Sequence, residues 1–509
     1  NQIGIIAAPG ASGAVPSVDI RNVTIRNSSA QGMYLNNSLV TYTGGQIYDN
    51  TGDGIYSYST TYSTAGIYLY NLTIADNGGD GIEVGRGYSS SYVHYVSLSD
   101  SAVTHNTGVA VRDSSPSGYA LSLGCSYSDI WGNSGGNGSI TISSSCFSYN
   151  PLYADQTNRD YTPTKFSPLR KLSSTSSYVG YKDYDGRIGP MIEGFLWENF
   201  TFTAANGPYA VLGDIVVTAG VTATFEAGAQ LQIAATDGMG GTYNSGSASK
   251  VEFHFLTGSL YSFPSTGSNV VFTPAASSPV AGAWEGLRFY DVTGTVQRAS
   301  IEYPNAGLRV LGPRSPVFTD VTVKYSASYG AYVTDVTNTT NYFDLLAGRF
   351  IGDGDGYSVY LNTAIARIRS SYLTHANYGV YDYNATTYSI TLHLINNTIV
   401  HHSYGAMWAI GYSSSYPLTV NVWNNVFANC SSYAVQDGSP SGYQVTDTVR
   451  YNDFSNVSTT AGIFSTNSNN QTSDPKIEDD DWDAYPRWWD GGLWAESASI
   501  NAGSSSAPQ

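Results

Sequence analysis

The sequence predicts an all-β protein folded as a parallel β-helix, a solenoid in which each repeat of the chain stacks on the one before. Two observations lead to this fold class: a phrase that returns every 22 to 29 residues, and short segments in which apolar and polar residues alternate. The composition agrees, because Gly (54) and Tyr (42) are abundant among the 509 residues, whereas helical proteins favour Ala, Leu, Glu, Lys and Arg. A hydrophobic share of 41% excludes a disordered chain.

The repeated phrase is a turn rich in Asn, Asp and Gly that leads into an alternating strand. In the first half of the chain its spacings are 22, 27, 29 and 28 residues, with anchors at Gly32, Gly54, Gly81, Ala110 and Gly138. In the second half the spacings are 23, 26, 23, 26, 29 and 28, with anchors at Gly307, Gly330, Gly356, Gly379, Gly405, Ala434 and Gly462. Gly and Asn suit these turns because they accept left-handed backbone.

The strands are predicted from apolar pairs that often lie nine and seven residues before an anchor. Leu72 and Ile74 hold these positions before Gly81. Residues two apart on a strand point to the same face. A repeat of this length, with strands and turns but no helical segment, is best accommodated by stacked parallel strands about 4.8 Å apart.

A similar order of closing segments occurs twice, which predicts two tandem modules, residues 1–197 and 198–509. The first set lies at 127–133, 150–155, 167–169 and 183–189, and the second at 451–454, 474–477 and 497–503. The first module starts inside a repeat, without opening strands. We therefore expect the chain to be cut from a longer precursor or capped by a neighbour.

These segments resemble the closing section of right-handed parallel β-helix surface proteins of bacteria and archaea, which belong to the pectate-lyase-like superfold. The segments at 207–217, 219–222, 226–229 and 282–289 resemble the opening section of the same family. The resemblance implies a right-handed solenoid in both modules. It implies little about function, because the superfold hosts lyases, hydrolases, adhesins and inert spacers.

The sequence favours an extracellular structural or adhesive protein of the cell surface, a subunit able to assemble head to tail into a filament. Its expected partners are other copies of itself or cell-surface glycans. The net charge of −17 argues against nucleic acid as a partner, and no run of about 18 apolar residues predicts a membrane span. The alternative is a polysaccharide lyase or glycoside hydrolase of the same superfold, which requires carboxylates converging in an open groove. The nearest echo of that family's basic phrase is Arg367-Ile368-Arg369, so no catalytic residue is assigned.

Two Asp pairs could offer hard oxygen ligands to Ca²⁺. They are Asp353 with Asp355, and Asp183 with Asp185. The competing interpretation is that Asp-Gly pairs form the turns between repeats, as Asp53 and Asp80 would. No other cofactor is expected.

Tyrosine pairs two residues apart, such as Tyr56 with Tyr58, Tyr68 with Tyr70, and Tyr381 with Tyr383, would share a strand face. Such rings can bind sugars or a protein partner, or simply fit half-buried strands. The sequon Asn-x-Ser/Thr marks twelve glycosylation candidates: Asn22, Asn27, Asn36, Asn71, Asn137, Asn199, Asn338, Asn384, Asn396, Asn429, Asn456 and Asn470. A surface location permits this modification but the motif does not demonstrate it.

Two further predictions concern covalent and assembly contacts. Residues 121–125 and 142–146 match in pattern, so Cys125 and Cys146 would stack one repeat apart, close enough for a disulfide. The alternative is an unbonded stack of two small buried residues. At the other site, the apolar residues Ile3, Ile5 and Ile6 could pair with a neighbouring copy, fold back on their own solenoid, or be a cut end.

Overall fold

Two compact units make up the protein in a computed structural model. Unit 1 comprises residues 1–190 with 239–242, and unit 2 comprises residues 191–238 with 243–509. The predicted boundary after residue 197 differs, because Ile192–Leu196 pairs with a strand of unit 2. The structure describes residues 3–9, 15–59, 65–86, 93–116, 121–142, 145–175, 177–183, 185, 192–239, 247, 249–384, 388–413, 415–440, 443, 445–461 and 467–472. The anchor Gly462 and the closing segments at 474–477 and 497–503 lie outside these residues.

Unit 1 consists of short strands with two single-turn 3₁₀ helices, Gln156–Asn158 and Pro168–Arg170. Its strands are β1 (Ile5–Ala7), β2 (Ser17–Arg26), β3 (Met33–Asn36), β4 (Leu39–Tyr48), β5 (Ile55–Ser59), β6 (Ala65–Ala75), β7 (Ile82–Arg86), β8 (His94–Ser99), β9 (Ala102–Thr104), β10 (Val111–Asp113), β11 (Leu121–Ser126), β12 (Ser128–Trp131), β13 (Cys146–Phe147), β14 (Tyr153–Asp155) and β15 (Asp160–Pro163).

The strand register in unit 1 follows the predicted repeat. One sheet runs β1-β3-β5-β7-β10, and a second runs β11-β8-β6-β9-β12-β13, with β4 beside β6 and β2 beside β4. Met33 pairs with Ile55, Ile55 with Ile82, and Ile82 with Val111. Each of these residues directly follows a predicted anchor, so the spacings read from the sequence are the spacings of the sheet. All four side chains are fully buried and form one column of the core.

Unit 2 is built in the same way. Its strands are β16 (Ile192–Leu196), β17 (Phe200–Phe202), β18 (Tyr209–Val217), β19 (Thr222–Phe225), β20 (Gln230–Ile233), β21 (Glu252–Phe255), β22 (Leu260–Ser262), β23 (Val270–Pro274), β24 (Gly286–Tyr290), β25 (Thr295–Glu302), β26 (Ala306–Leu311), β27 (Val317–Ser326), β28 (Tyr329–Thr334), β29 (Phe343–Leu346), β30 (Arg349–Gly352), β31 (Tyr357–Asn362), β32 (Ala366–Arg369), β33 (Tyr372–Thr374), β34 (Tyr378–Asn384), β35 (Ile390–Ile395), β36 (Thr398–Val400), β37 (Gly405–Gly411), β38 (Leu418–Trp423), β39 (Val426–Asp437), β40 (Thr446–Arg450), β41 (Asp453–Ala461) and β42 (Asn467–Ser468).

From β28 to β36 each strand pairs with the strand three places later, as β28 does with β31, whereas β37 to β40 each pair with the strand two places later. The protein is therefore all-β with large parallel sheets, and β14–β15 is the one antiparallel pair among the described strands. Three predicted anchors are wrong. In unit 1 Val111 pairs with Gly138 itself, which puts Asn137 and not Gly138 at the anchor. Ala331 pairs with Val359 and Val359 with Val380, which puts Ser358 and not Gly356 at the anchor. Gly405 lies one residue before the true anchor, because Met407 pairs with Val380 and so Ala406 takes the anchor position.

Buried asparagine side chains form a ladder in each unit where the chain turns between strands. In unit 1 the Nδ2 of Asn50 donates to Oδ1 of Asn77 at 2.9 Å, and Asn77 donates in the same way to Asn106 at 2.9 Å. Asn106 continues the ladder to Asn133 at 2.9 Å. In unit 2 the equivalent ladder runs through Asn397, Asn425, Asn452 and Asn470. These amides satisfy buried backbone groups that the turn would otherwise leave without partners.

Candidate functional site

Two rows of aromatic rings lie side by side on one face of unit 2. We call them row A, which is Tyr329, Tyr357, Tyr378 and Tyr404, and row B, which is Tyr332, Tyr360, Tyr381 and Trp408. Neighbouring ring centroids are 5.5, 5.2 and 5.5 Å apart in row A. In row B the separations are 5.3, 5.3 and 6.3 Å.

The parallel register creates these rows. Tyr332, Tyr360 and Tyr381 are register partners on β28, β31 and β34. On each strand the neighbouring apolar residues point into the core, as Ala331 and Val333 do with 0% exposure. The alternation of a strand therefore turns the tyrosine outward, and stacking at about 4.8 Å per strand brings the rings into contact.

The rings within a row face one another, whereas the two rows are inclined to each other. Interplanar angles are 8°, 11° and 13° in row A, but Tyr329 and Tyr332 meet at 72°. The guanidinium of Arg309 lies 4.9 Å from the ring centre of Tyr332 and covers that end of row B. Stacking uses most of the ring faces, so the rows offer mainly ring edges and hydroxyl groups to a ligand.

Burial favours the protonated hydroxyl group at Tyr329, Tyr357 and Tyr381. Burial raises the pKa of Tyr381 to about 12, and neighbouring tyrosines add to the shift. Burial also raises the pKa of Tyr329 and Tyr357. A protonated tyrosine hydroxyl both donates and accepts hydrogen bonds. The two rows therefore form a repeating, uncharged hydrogen-bonding surface, which we call the aromatic face.

The sequence predicted only part of the aromatic face. Tyr381 and Tyr383 are both half-buried, as the predicted pair requires, and Tyr383 lies outside the two rows, with its ring 5.2 Å from that of Tyr412. In unit 1 the pair Tyr56 and Tyr58 does stack, with centroids 6.4 Å apart. The signal for the rows is the phrase Tyr-x-x-Tyr, which recurs at 329–332, 357–360 and 378–381.

The predicted calcium ligands are all at the surface. Asp353 and Asp355 are exposed, as are Asp183 and Asp185. Within the described part of the chain, neither pair belongs to a group of three or more converging acidic, His or Cys side chains. Calcium binding at either pair stays a prediction.

A half-buried carboxylate group in unit 1 joins Asp53, Asp80 and Glu83. Oδ1 of Asp53 accepts the amide of Asp80 at 2.8 Å, and Oδ1 of Asp80 accepts the amide of Val109 at 2.7 Å. Arg112 pairs with Asp80, and burial raises the pKa of Asp53 to about 6. The two Asp side chains thus repeat the same backbone contact in successive turns, as the turn interpretation predicted.

A second group, Asp214, Glu252 and His254, lies in unit 2 and could hold a metal ion. Their exposure is 1%, 0% and 0%. A polymeric substrate could not reach them. This group was not predicted from the sequence, because its members come from two strands, β18 and β21, and have no motif spacing.

The twelve sequon asparagines occupy different environments. Asn22, Asn27, Asn137, Asn199, Asn396 and Asn456 are exposed, and Asn36, Asn71, Asn338, Asn429 and Asn470 are half-buried. Asn384 does not suit glycosylation, because it is 0% exposed and its Nδ2 donates to the carbonyls of Tyr388 and Tyr416. At the other eleven positions glycosylation stays a prediction.

Cys125 and Cys146 form a disulfide, with Cα atoms 6.0 Å apart. The predicted stacking of the two residues is wrong, because Cys146 is the register partner of Ser128. The bond instead spans the corner at Tyr127, whose φ of 48° turns the chain between β11 and β12. Cys430 is a buried free thiol.

The amino-terminal apolar residues lie along their own unit. Ile5 pairs with Met33 and Ile6 with Tyr34, so β1 adds to β3 of the same chain. Ile3 and Ile5 are half-buried, and Ile6 is 63% exposed. This pairing corresponds to the folded-back alternative. Among the described strands, the other edge of β1 has no neighbour.

Comparison with known proteins gives no identification. No protein-family model matches the chain, and no curated protein matches it.

None of the helices in the described part of the chain has the length and apolar character that crossing a bilayer requires.

Proposed function

We propose that the chain is a right-handed parallel β-helix that serves outside the cell as an adhesive surface protein, with the aromatic face as its glycan-binding surface. The observation that carries this proposal is the pair of ring rows, eight aromatic side chains in contact across four successive repeats. At the end of row A, Tyr404 is 53% exposed, so a ligand can reach its ring.

The solenoid part of the proposal rests on the pairing pattern. Three columns of parallel strands run through unit 2, exemplified by β28-β31-β34, β29-β32-β35 and β30-β33-β36. A chain that returns to each column after two other strands winds around a common core. Crossovers between parallel strands are right-handed in about 98% of cases, which favours the right-handed form.

The hydrogen bonds and the burial of the clustered carboxylates favour glycan binding over glycan cleavage. Polysaccharide hydrolysis requires two carboxyl groups that reach the same glycosidic bond. Asp53 and Asp80 are already engaged by backbone amides, and Asp214 and Glu252 are buried. We therefore expect no new reducing ends and no unsaturated uronate when the protein is incubated with acidic or neutral glycans.

The chemistry of the aromatic face suits extended, hydroxyl-rich chains of low charge. Phenol groups exchange hydrogen bonds with sugar hydroxyls, and the net charge of −17 disfavours polyanions. Repetition across four repeats lets one chain contact several rings, which strengthens binding without any single strong contact.

The test is binding to a panel of neutral and acidic polysaccharides, followed by affinity measurement on the best ligand. The variant Tyr332→Phe/Tyr360→Phe/Tyr381→Phe keeps the ring stacking and removes three hydroxyl groups, so we expect at least tenfold weaker binding. Tyr388→Phe is the matched control, because Tyr388 is as exposed as Tyr404, at 53%, and lies outside the rows. Unchanged affinity in the triple variant, or no binding to any glycan, would refute the proposal.

A further inference from the structure

A buried cluster of charged side chains lies where unit 2 begins to stack. Glu252 and His254 alternate with the core residue Phe253 on β21 and point away from the core. Asp214 lies on the neighbouring strand β18, one residue before the register pair Ile215–Phe253. Each of the three polar residues is at most 1% exposed, although the outward face of a strand is normally open to solvent.

One atom from each side chain converges on a common point. Nε2 of His254 lies 3.0 Å from Oε2 of Glu252 and 3.5 Å from Oδ2 of Asp214. All three atoms lie within 4.8 Å of one another. In a tetrahedral site with metal–ligand bonds of about 2.0–2.1 Å, neighbouring ligands are about 3.3 Å apart. The observed separations lie on either side of that value.

The remaining atoms of each side chain are held by other groups. Oδ1 of Asp214 accepts the amide of Glu252 at 2.7 Å. Oε1 of Glu252 accepts the amide of Ser247 at 2.9 Å and contacts Nη2 of Arg288 at 2.5 Å. These bonds aim the second oxygen of each carboxylate at the common point. Apart from Nε2 of His254, no donor among the described residues forms a hydrogen bond with Oδ2 of Asp214 or Oε2 of Glu252.

The imidazole of His254 is also held so that one nitrogen faces the common point. Nδ1 of His254 lies 3.3 Å from the hydroxyl of Tyr290, and the two rings stack at 5.8 Å with an interplanar angle of 13°. When Nδ1 carries the proton and donates it to Tyr290, Nε2 presents a lone pair to the two carboxylates. Metal-binding histidines are commonly held by a partner of this kind.

The charge of the cluster calls for a cation at the common point. Asp214, Glu252 and Glu285 are three carboxylates, and Arg288 contacts Glu252 and lies 3.7 Å from Glu285. Arg288 therefore pairs with the far oxygen of Glu252 and leaves the common point without a cation. A divalent ion there neutralises the two carboxylates that converge on it, Asp214 and Glu252, whose burial as bare anions is costly.

We propose that Asp214, Glu252 and His254 bind a divalent transition-metal ion of the zinc class. One histidine with two carboxylates suits such an ion, while Ca²⁺ and Mg²⁺ prefer all-oxygen sites. The ion joins β18 to β21 and stabilises the start of the unit 2 stack. Because the ligands are brought together only by folding, metal binding and folding are coupled. This site is independent of the proposed glycan binding.

The test begins with elemental analysis of the full chain purified from zinc-supplemented medium. We expect about one equivalent of metal, falling below one tenth in Glu252→Gln and in His254→Gln. Glu302→Gln is the control, because Glu302 pairs with Lys324 at 3.3 Å outside the cluster and should keep the full equivalent. Refolding with Co²⁺ gives a second measurement, in which visible absorption typical of four-coordinate cobalt should appear only in the wild type and the control.

If the ligand variants fail to fold, experiments on the wild-type protein still test whether the metal binds. Refolding with Zn²⁺ should raise the midpoint of thermal unfolding relative to refolding with a chelator. If the wild type retains no metal and its melting is the same under both conditions, a protonated His254 closes the two carboxylates as an ion-pair network and the proposal is wrong. Folded ligand variants that keep one equivalent of metal would also overturn it.

Discussion

The asparagine ladder of unit 1 should contribute several kcal/mol through a single side chain, Asn77. This residue is 1% exposed, and its Nδ2 donates to Oδ1 of Asn106 at 2.9 Å and to the carbonyl of Ile47 at 3.1 Å. Its Oδ1 accepts Nδ2 and the backbone amide of Asn50 at 2.9 and 3.3 Å. Asn77→Ala removes all four bonds. At about 1 kcal/mol for each bond, the expected loss is about 4 kcal/mol.

Hydrogen–deuterium exchange measures this loss where it occurs. A loss of about 4 kcal/mol corresponds to an opening equilibrium nearly a thousandfold more favourable, because each 1.4 kcal/mol is a factor of ten. We therefore expect amide protection around residues 50, 77 and 106 to fall by two to three orders of magnitude. Asn77→Asp keeps the acceptor oxygen but loses the donor and buries a charge, so it should be at least as damaging at neutral pH.

The control for this experiment is Asn137→Ala, an exposed asparagine of the same unit. It should change protection by less than threefold. If Asn77→Ala behaves like Asn137→Ala, or costs under about 1 kcal/mol, the ladder does not stabilise the turn and the reasoning is refuted.

Three further predictions concern pH, thiols and assembly. Burial lowers the pKa of His402 to about 4, so the unfolded chain takes up this proton first, and stability should fall by up to about 3 kcal/mol as the pH drops from 6.5 to 4. Urea titrations should show a flatter pH dependence in His402→Gln, and an unchanged slope would contradict this. Thiol titration of the denatured, unreduced protein should find one free thiol, Cys430, because Cys125 and Cys146 are joined; three free thiols would contradict it. If residues 1–6 pair with a second copy, deleting them should shorten the particles seen by electron microscopy; native particles that are already monomers, or unchanged strings, would contradict it.

The repeat could be predicted because closely stacked strands require a small residue at the same position of each repeat. A Cβ at Gly54 would lie 2.7 Å from the carbonyl oxygen of Gly81, so the anchor position favours glycine or another small residue, such as Ala110 or Ser358. The same reasoning failed at Gly356. That glycine has a φ of 74° in an exposed turn, and Ser358 takes the anchor, so a glycine required by a turn was mistaken for one required by stacking.

The sequons show how a backbone requirement can imitate a functional motif. Six of the twelve asparagines have positive φ angles between 46° and 58°: Asn22, Asn27, Asn71, Asn396, Asn429 and Asn456. Asparagine tolerates this left-handed conformation better than most residues. The corners of the chain therefore account for much of the asparagine, and abundant Ser and Thr complete the motif.

To predict the two sites in unit 2, the register of the parallel strands had to be known in addition to the repeat length. Asp214 meets Glu252 because two strands that are distant in sequence become neighbours, and no local pattern fixes the length of the segment between them. The aromatic face was closer to prediction, since its Tyr-x-x-Tyr phrase is visible in the sequence. Aligning the repeats on Gly356 instead of Ser358 would have displaced β31, and with it Tyr357 and Tyr360, relative to the other strands of the two rows.

The parallel register of unit 2 supports both proposed sites, and paired cysteines test it most directly. Thr391 on β35 and Thr419 on β38 are register partners with half-buried side chains. Their Cα atoms should be about 4.8 Å apart, within the range of roughly 4.4–6.8 Å for a disulfide. In a Cys430→Ser background, Thr391→Cys/Thr419→Cys should oxidise nearly completely in the folded protein, whereas Thr391→Cys/Asn421→Cys, displaced by two residues, should stay reduced. Equal oxidation of both pairs, or oxidation of the displaced pair alone, would contradict the account.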